Sequence, residues 1–120
     1  MTNAAGWVLR PDEIRASAIF TDQSRLVRVR LWAPCPDSTW ALGFALVRGD
    51  QNERRLRLRL LAEGGDPATT RSARGVRREA EAIVECRSAR EVVVELPDGT
   101  ETVVPVSEPA GRRRVPLAAG

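Results

Sequence analysis

Apolar and charged residues alternate along this chain with a period of two, and this constrains its fold more than any other feature of the sequence. The clearest segment runs from Arg54 to Leu60, where Leu56, Leu58 and Leu60 alternate with Arg55, Arg57 and Arg59. Because successive side chains of a β-strand point to opposite faces, the pattern predicts a strand with a buried leucine face and an outward arginine row. A second strand is predicted from Arg25 to Ala33, with one face formed by Val27, Val29, Leu31 and Ala33 and the other by Arg28, Arg30 and Trp32.

A third alternating segment, from Thr39 to Val47, separates large residues from small ones. The large side comprises Trp40, Leu42, Phe44 and Leu46, and the small side comprises Ala41, Gly43, Ala45 and Val47. Small residues permit the close approach of another element. We therefore predict a central strand covered on both faces, with Trp40 in the core, that residues 48–53 join to the Leu56 strand as a hairpin.

The segment from Glu91 to Val106 predicts a β-hairpin whose register follows from its apolar pattern. A two-residue loop would pair Leu96 with Glu101 and place the apolar face of the first run beside Glu101. A three-residue loop pairs Leu96 with Thr100, and one face then collects Val92, Val94, Leu96, Thr102, Val104 and Val106. Because a one-residue slip moves a whole strand to the other face, we predict the longer loop, with Gly99 in the left-handed position of a bulge. The outward face then carries Glu91, Glu95, Glu101 and Pro105.

Two further segments are ambiguous between strand and helix. Val76 to Cys86 alternates, but its glutamates also permit a helix of about two turns over residues 77–85. Ile14 to Phe20 alternates as well, yet Pro11, Asp12 and Glu13 form an acceptable helix start. We favour a strand in both, with residues 21–24 forming a hairpin turn after the second.

Seven or eight short strands separated by turn signals predict an all-β, mainly antiparallel fold, either a small sandwich or a partly open barrel, with at most one short helix. The order of Cys35, Trp40 and Cys86 resembles that of immunoglobulin-like sandwiches in outline, although the gap of five residues between Cys35 and Trp40 is shorter than that family's pattern. We carry no function over from that family. We expect a single domain over residues 1–120, with an ordered core of about 7–107, an exposed loop at 64–75, and an edge strand (112–117) or loose tail within 108–120.

The composition excludes most catalytic chemistry, since all 19 basic residues are arginine and the chain has no lysine, histidine or tyrosine. Without histidine there is no imidazole base, and without lysine there is no Schiff base. We therefore expect no enzymatic activity, no catalytic residues, no metal site and no cofactor. Cys35, in a loop between two prolines, and Cys86, in the core, are expected to be reduced thiols, with a disulfide between them as the less favoured alternative. The sequence shows neither a signal peptide nor a membrane-spanning segment, so we expect a cytoplasmic protein that does not bind membranes.

Charge is distributed unevenly along the chain and supplies the main functional hypothesis. Residues 25–59 contain 8 arginines and 3 acids, whereas residues 76–108 contain 4 arginines and 8 acids. We expect a basic face and an acidic face, which would allow the protein to bind another protein or to self-associate. The alternative is that these residues pair across neighbouring strands and serve no recognition. Candidate partner-binding residues are Arg28, Arg30, Trp32, Arg55, Arg57, Arg59, Glu91, Glu95 and Glu101.

The primary hypothesis is a non-enzymatic interaction or assembly module, acting as an accessory subunit or homo-oligomer. A nucleic-acid-binding barrel is an alternative, because arginines around Trp32 could contact phosphates and stack a base. A small-molecule or lipid carrier is a third possibility, with Leu42, Phe44 and Leu56 lining a barrel mouth. Trp7 and Trp32 are candidate interface anchors, against the alternative that both pack under a loop or terminus.

Overall fold

The computed structural model describes residues 9–47, 54–64 and 75–109, and all regular structure in these ranges is β-strand. The seven strands are β1 (Glu13–Phe20), β2 (Arg25–Cys35), β3 (Ala41–Leu46), β4 (Arg55–Glu63), β5 (Val76–Glu85), β6 (Glu91–Glu95) and β7 (Glu101–Ser107). The predicted all-β class is confirmed. In the described part of the chain there is no helix long and apolar enough to cross a membrane.

The strands form one mixed sheet in the order β3-β4-β6-β7-β1-β2-β5, which curls until it is nearly closed into a barrel. Four pairings are antiparallel, as predicted for most of the sheet, whereas β4–β6 and the short β1–β7 pairing are parallel. The two end strands, β3 and β5, lie side by side without a ladder of hydrogen bonds. Across this seam the Nε of Arg78 donates to the carbonyl oxygen of Trp40 at 2.9 Å.

The barrel interior is built from the apolar faces that the alternation predicts. On β2 the inward residues Val27, Val29, Leu31 and Ala33 are fully buried, and on β4 the inward residues Leu56, Leu58 and Leu60 are buried as well. Each of the valine and leucine side chains contributes about 1.5–3 kcal/mol on leaving water. The arginines between them point outward, so both predicted strand orientations are confirmed.

The β6–β7 hairpin has the predicted three-residue loop. The N–H of Leu96 donates to the carbonyl oxygen of Thr100 at 2.8 Å, and the N–H of Gly99 donates to Leu96 at 2.9 Å. Gly99 has a φ of 92°, in the left-handed region that glycine adopts without a steric penalty. Val92 and Val94 are buried, and Leu96, Val104 and Val106 pack against the same core.

Both ambiguous segments are strands, as favoured. In β5, Ala80 is buried while Glu79, Glu81 and Glu85 are exposed. In β1, Ala16 and Ala18 are buried, and residues 21–24 form the predicted turn to β2, with the N–H of Thr21 donating to Ser24 at 2.9 Å.

The prediction that the Thr39–Val47 segment forms a central strand is wrong. β3 lies at the end of the sheet order, and its small residues face outward instead of meeting another layer. Trp40 is nevertheless in the core, as predicted, at 2% exposure just before β3 begins. A face of small residues is compatible both with close packing against another layer and with an uncovered outer surface. In β3 it forms an outer surface at the seam.

The placement of Cys35 in a loop is also wrong, because this residue ends β2 and is fully buried. The flanking prolines do not stop the strand. The carbonyl oxygen of Trp32 accepts from the N–H of Asp12 and therefore points toward β1. Two residues further along the strand, the nitrogen of Pro34 points in the same direction, but β1 begins only at Glu13, opposite Trp32, and does not extend that far. A proline is tolerated where no neighbouring strand needs its N–H.

Several predictions fall outside the described residues: those for Trp7, for the hairpin loop at 48–53, for most of the exposed loop (residues 65–74), and for the edge strand at 112–117.

Candidate interaction surface

Basic and acidic residues are interleaved on the outer surface, so the predicted separation into a basic face and an acidic face is wrong. Strand β2, from the basic segment, pairs with β5, from the acidic one, and β4 pairs with β6 in the same way. Segments of opposite charge that are distant in the chain thus become neighbours in the sheet. Their side chains form ion pairs, which is the alternative the sequence also allowed.

Six of the predicted partner-binding residues form an arginine–glutamate ladder, defined as Arg55, Arg57 and Arg59 of β4 with Glu91 and Glu95 of β6 and Glu101 of β7. Arg55 Nε lies 2.9 Å from Glu91 Oε1. Arg57 Nη1 lies 3.0 Å from Glu95 Oε2 and 2.6 Å from Glu101 Oε2, and Arg59 Nε lies 3.2 Å from Glu95 Oε1. Val93, on the same outer face, is only 1% exposed.

The other three predicted residues lie on β2, on the opposite half of the sheet. Arg28 is bonded to Glu81 and Arg30 to Glu79. Trp32 is half-buried, and the guanidinium carbons of Arg30, Arg77 and Arg15 lie 4.7, 5.4 and 6.0 Å from its ring centroid. Arg77 in turn reaches Asp12 at 3.0 Å and Glu13 at 2.9 Å. The indole is therefore packed among cations that carboxylates already hold.

The ion pairs shift the pKa values of several carboxyls in one direction. The hydrogen bond from Arg57 holds the pKa of Glu95 below its ordinary value, with a smaller contribution from Arg59. Arg30 lowers the pKa of Glu79 in the same way, and Arg77 lowers that of Glu13. These carboxylates are all ionised at neutral pH, so the paired arrangement persists there.

An apolar groove of about 880 Å³ lies beside the ladder, where β4 extends beyond the end of β6. Its apolar floor includes Leu42 of β3, Leu60 and Leu61 of β4, and Leu96 and Pro97 of the β6–β7 turn. Its charged lining residues in the described part of the chain are Arg59, Glu63, Glu95 and Glu101. We call this feature the apolar groove.

Leu61 gives the groove its exposed apolar surface, and the sequence contained a signal for it. Arg55, Arg57 and Arg59 occupy successive outward positions of β4, and Leu61 occupies the next one, where it is 46% exposed. The arginine row therefore ends in a leucine directed to solvent. The break in the alternation was visible, but its position beside the β6–β7 turn was not.

The predicted carrier residues are divided between the groove and the core. Leu42 lines the groove, whereas Leu56 is buried in the barrel and Phe44 packs against the core. Both cysteines are free. Burial raises the pKa of the Cys35 thiol, which disfavours the reactive thiolate.

Among residues 9–47, 54–64 and 75–109, no group of three or more cysteine and acidic side chains is arranged to hold a metal ion. Comparisons of this chain with protein-family models, with curated proteins and with solved structures find no significant match.

Proposed function

We propose that this chain is a non-enzymatic interaction module that binds an apolar segment of another protein in the apolar groove. The observation that carries this proposal is the groove itself, an open apolar surface bordered by charged side chains. An apolar centre with a polar rim is the usual anatomy of a protein–protein interface. Leu61 is the expected anchor position, because among the described residues it is the most exposed large apolar side chain of the groove.

The composition supports a binding role over a catalytic one. Histidine, lysine and tyrosine are missing from the whole chain, and the charged residues of the groove are arginine and glutamate. Each arginine of the ladder is already bonded to a carboxylate. Recognition by the exposed leucine surface requires no such pair to break, whereas binding of phosphates by the ladder would. Nucleic-acid binding therefore stays a prediction with less support than the groove.

The proposal can be tested by selecting peptides from a random display library on the wild-type protein and on Leu61→Arg. Arginine at this exposed position fills the groove with charge without entering the core. We expect recurrent apolar peptides that bind the wild-type protein at least about tenfold more tightly than Leu61→Arg, since one lost anchor costs more than 1 kcal/mol. Ile83→Arg, an equivalent exposed change on β5, is the matched control and should bind these peptides normally. A selection that yields no peptide distinguishing Leu61→Arg from wild type would overturn the proposal.

A small-molecule carrier is the second candidate, because the groove volume lies within the ~300–1,000 Å³ of typical ligand sites. Native mass spectrometry of the purified protein distinguishes the two. A copurified apolar ligand that is lost in Leu61→Arg and retained in Ile83→Arg would favour the carrier.

A further inference from the structure

Among the residues that the structure describes, the charged lining of the apolar groove is predominantly acidic. These residues are three glutamates and one arginine: Glu63 at the end of β4, Glu95 at the end of β6, Glu101 at the start of β7, and Arg59. The carboxylates thus come from three strands that border the apolar floor. Adding Arg57, which bonds Glu95 and Glu101 from outside the lining, still leaves the carboxylates in excess.

The three carboxylates differ in how far the protein itself satisfies them. Glu95 accepts from both Arg57 and Arg59 and is only one-fifth exposed. Glu101 is about half exposed, and in the described part of the chain its one ion pair joins Oε2 to Arg57. For Glu63, which is exposed, the described residues supply no ion pair. A carboxylate has about four acceptor positions, so Glu63 and Glu101 retain capacity for donors from a partner.

From this charge complementarity we propose that the occupant of the apolar groove is a basic protein segment, in which apolar side chains are flanked by arginine or lysine. The apolar side chains lie on Leu42, Leu61 and Leu96, and the flanking cations contact Glu63 and Glu101. This assignment rests on the proposed function and adds the chemistry of the partner. An acidic segment would instead place its charges against carboxylates, and like-charge contacts disfavour such partners.

The test uses three blocked heptapeptides that alternate leucine with arginine, with glutamine or with glutamate, and measures their binding to the purified protein by fluorescence anisotropy. We expect the arginine peptide to bind about tenfold more tightly than the glutamine peptide and the glutamate peptide to bind most weakly. The preference for arginine should decline as salt rises from low to about 0.5 M, because rim charges are screened.

The double variant Glu63→Gln/Glu101→Gln should lower the affinity for the arginine peptide by about threefold to tenfold, on the scale of two exposed ion pairs. Its affinity for the glutamine peptide should be unchanged. Glu81→Gln/Glu85→Gln removes the same charge from β5, away from the groove, and is the matched control. Equal binding of the arginine and glutamine peptides would overturn the basic partner while leaving the interaction module intact. If no heptapeptide binds, the basic partner is also overturned, and the library selection with Leu61→Arg separately decides the proposed function.

Discussion

At the scale of single residues, the contact between Gly64 and Trp40 fixes one end of the barrel. A Cβ placed on Gly64 would lie 2.2 Å from Cδ2, 2.3 Å from Cγ and 2.7 Å from Cδ1 of the Trp40 indole. Trp40 is buried at 2% exposure, and its Nε1 has no acceptor among the described residues. The ring is thus held by packing alone, and the missing side chain of Gly64 is part of that packing.

We expect Gly64→Ala to destabilise the protein by about 1–3 kcal/mol, because the added methyl overpacks a ring that the surrounding core prevents from moving. Gly43→Ala is the matched control, since its Cβ would meet nothing within 4 Å. Urea unfolding followed by tryptophan fluorescence measures both variants, and the midpoint of Gly64→Ala should fall with little change in slope. Equal unfolding midpoints for the two variants would contradict this prediction, because they would show that the indole moves aside to accommodate the added methyl group.

At the scale of elements, Arg25 joins three strands at the opposite end of the sheet from the β6–β7 turn. It begins β2, donates from Nη1 to the carbonyl oxygen of Cys86 after β5 at 3.1 Å, and reaches Glu108 after β7 at 2.7 Å. The Arg25 side chain is 9% exposed and that of Glu108 is 25% exposed. The guanidinium of Arg25 is thus more deeply buried than any arginine of the ladder, a difference that the sequence alone does not reveal.

We expect Arg25→Met to lower the free energy of unfolding by about 2–4 kcal/mol, because it leaves the Cys86 carbonyl without this donor and leaves Glu108 with the longer ion pair to Arg90, at 3.8 Å. Arg28→Met removes an exposed arginine of the same strand, whose pair with Glu81 is about 40% exposed on both sides. Its cost should be only about 0–1 kcal/mol. Denaturant unfolding of both variants makes the comparison, and a similar loss in the two would contradict a special role for Arg25.

The strand predictions were accurate where the interacting residues are close together in the sequence, and less accurate where they are far apart. The β6–β7 register was predictable because the apolar pattern and the turn residues lie within one short segment. Only the three-residue loop both places the apolar residues on one face and puts Gly99 in the left-handed position. The parallel pairing of β4 with β6 joins segments separated by all of β5, and no local pattern specifies it. For the same reason the sequence separated the large side of β3 from its small side, but predicted neither the outward position of the small side nor the place of the strand at the seam.

At the scale of the whole molecule, this long-range pairing also decides what the charges do. The nine predicted partner-binding residues were correctly placed on outward faces. Strand order, however, decides whether their charges form two separate faces or ion pairs between neighbouring strands. Leu61 and Leu96 line the same groove because the end of β4 lies beside the β6–β7 turn. The sequence pattern therefore identified the residues of the candidate surface, whereas the strand order of the sheet determines how they are arranged.

The distribution of pKa shifts predicts how stability depends on pH. The pKa values of Glu13, Glu79 and Glu95 are lowered by hydrogen bonds from arginine, and that of Asp98 is lowered chiefly by the backbone N–H of Thr100. Since these groups bind protons more weakly in the folded state, the unfolded chain gains protons first as the pH falls. The stabilisation is complete above the ordinary carboxyl range of about pH 4 and is lost progressively below it.

The chain has no histidine, so its side chains offer no titration between about pH 5.5 and 8 that would alter stability there. Thermal unfolding monitored by circular dichroism should give a nearly constant Tm over that interval and a steep decline below about pH 4. Replacing Glu95 by Gln removes the acceptor shared by Arg57 and Arg59, so the acid decline of Glu95→Gln should be shallower than that of the wild-type protein. Glu85→Gln, which removes one exposed carboxylate of β5, is the variant for comparison, and the acid decline of Glu95→Gln should be shallower than that of Glu85→Gln. A Tm that varied strongly around neutral pH, or an identical acid decline in Glu95→Gln, would contradict the assignment of acid stability to these paired carboxylates.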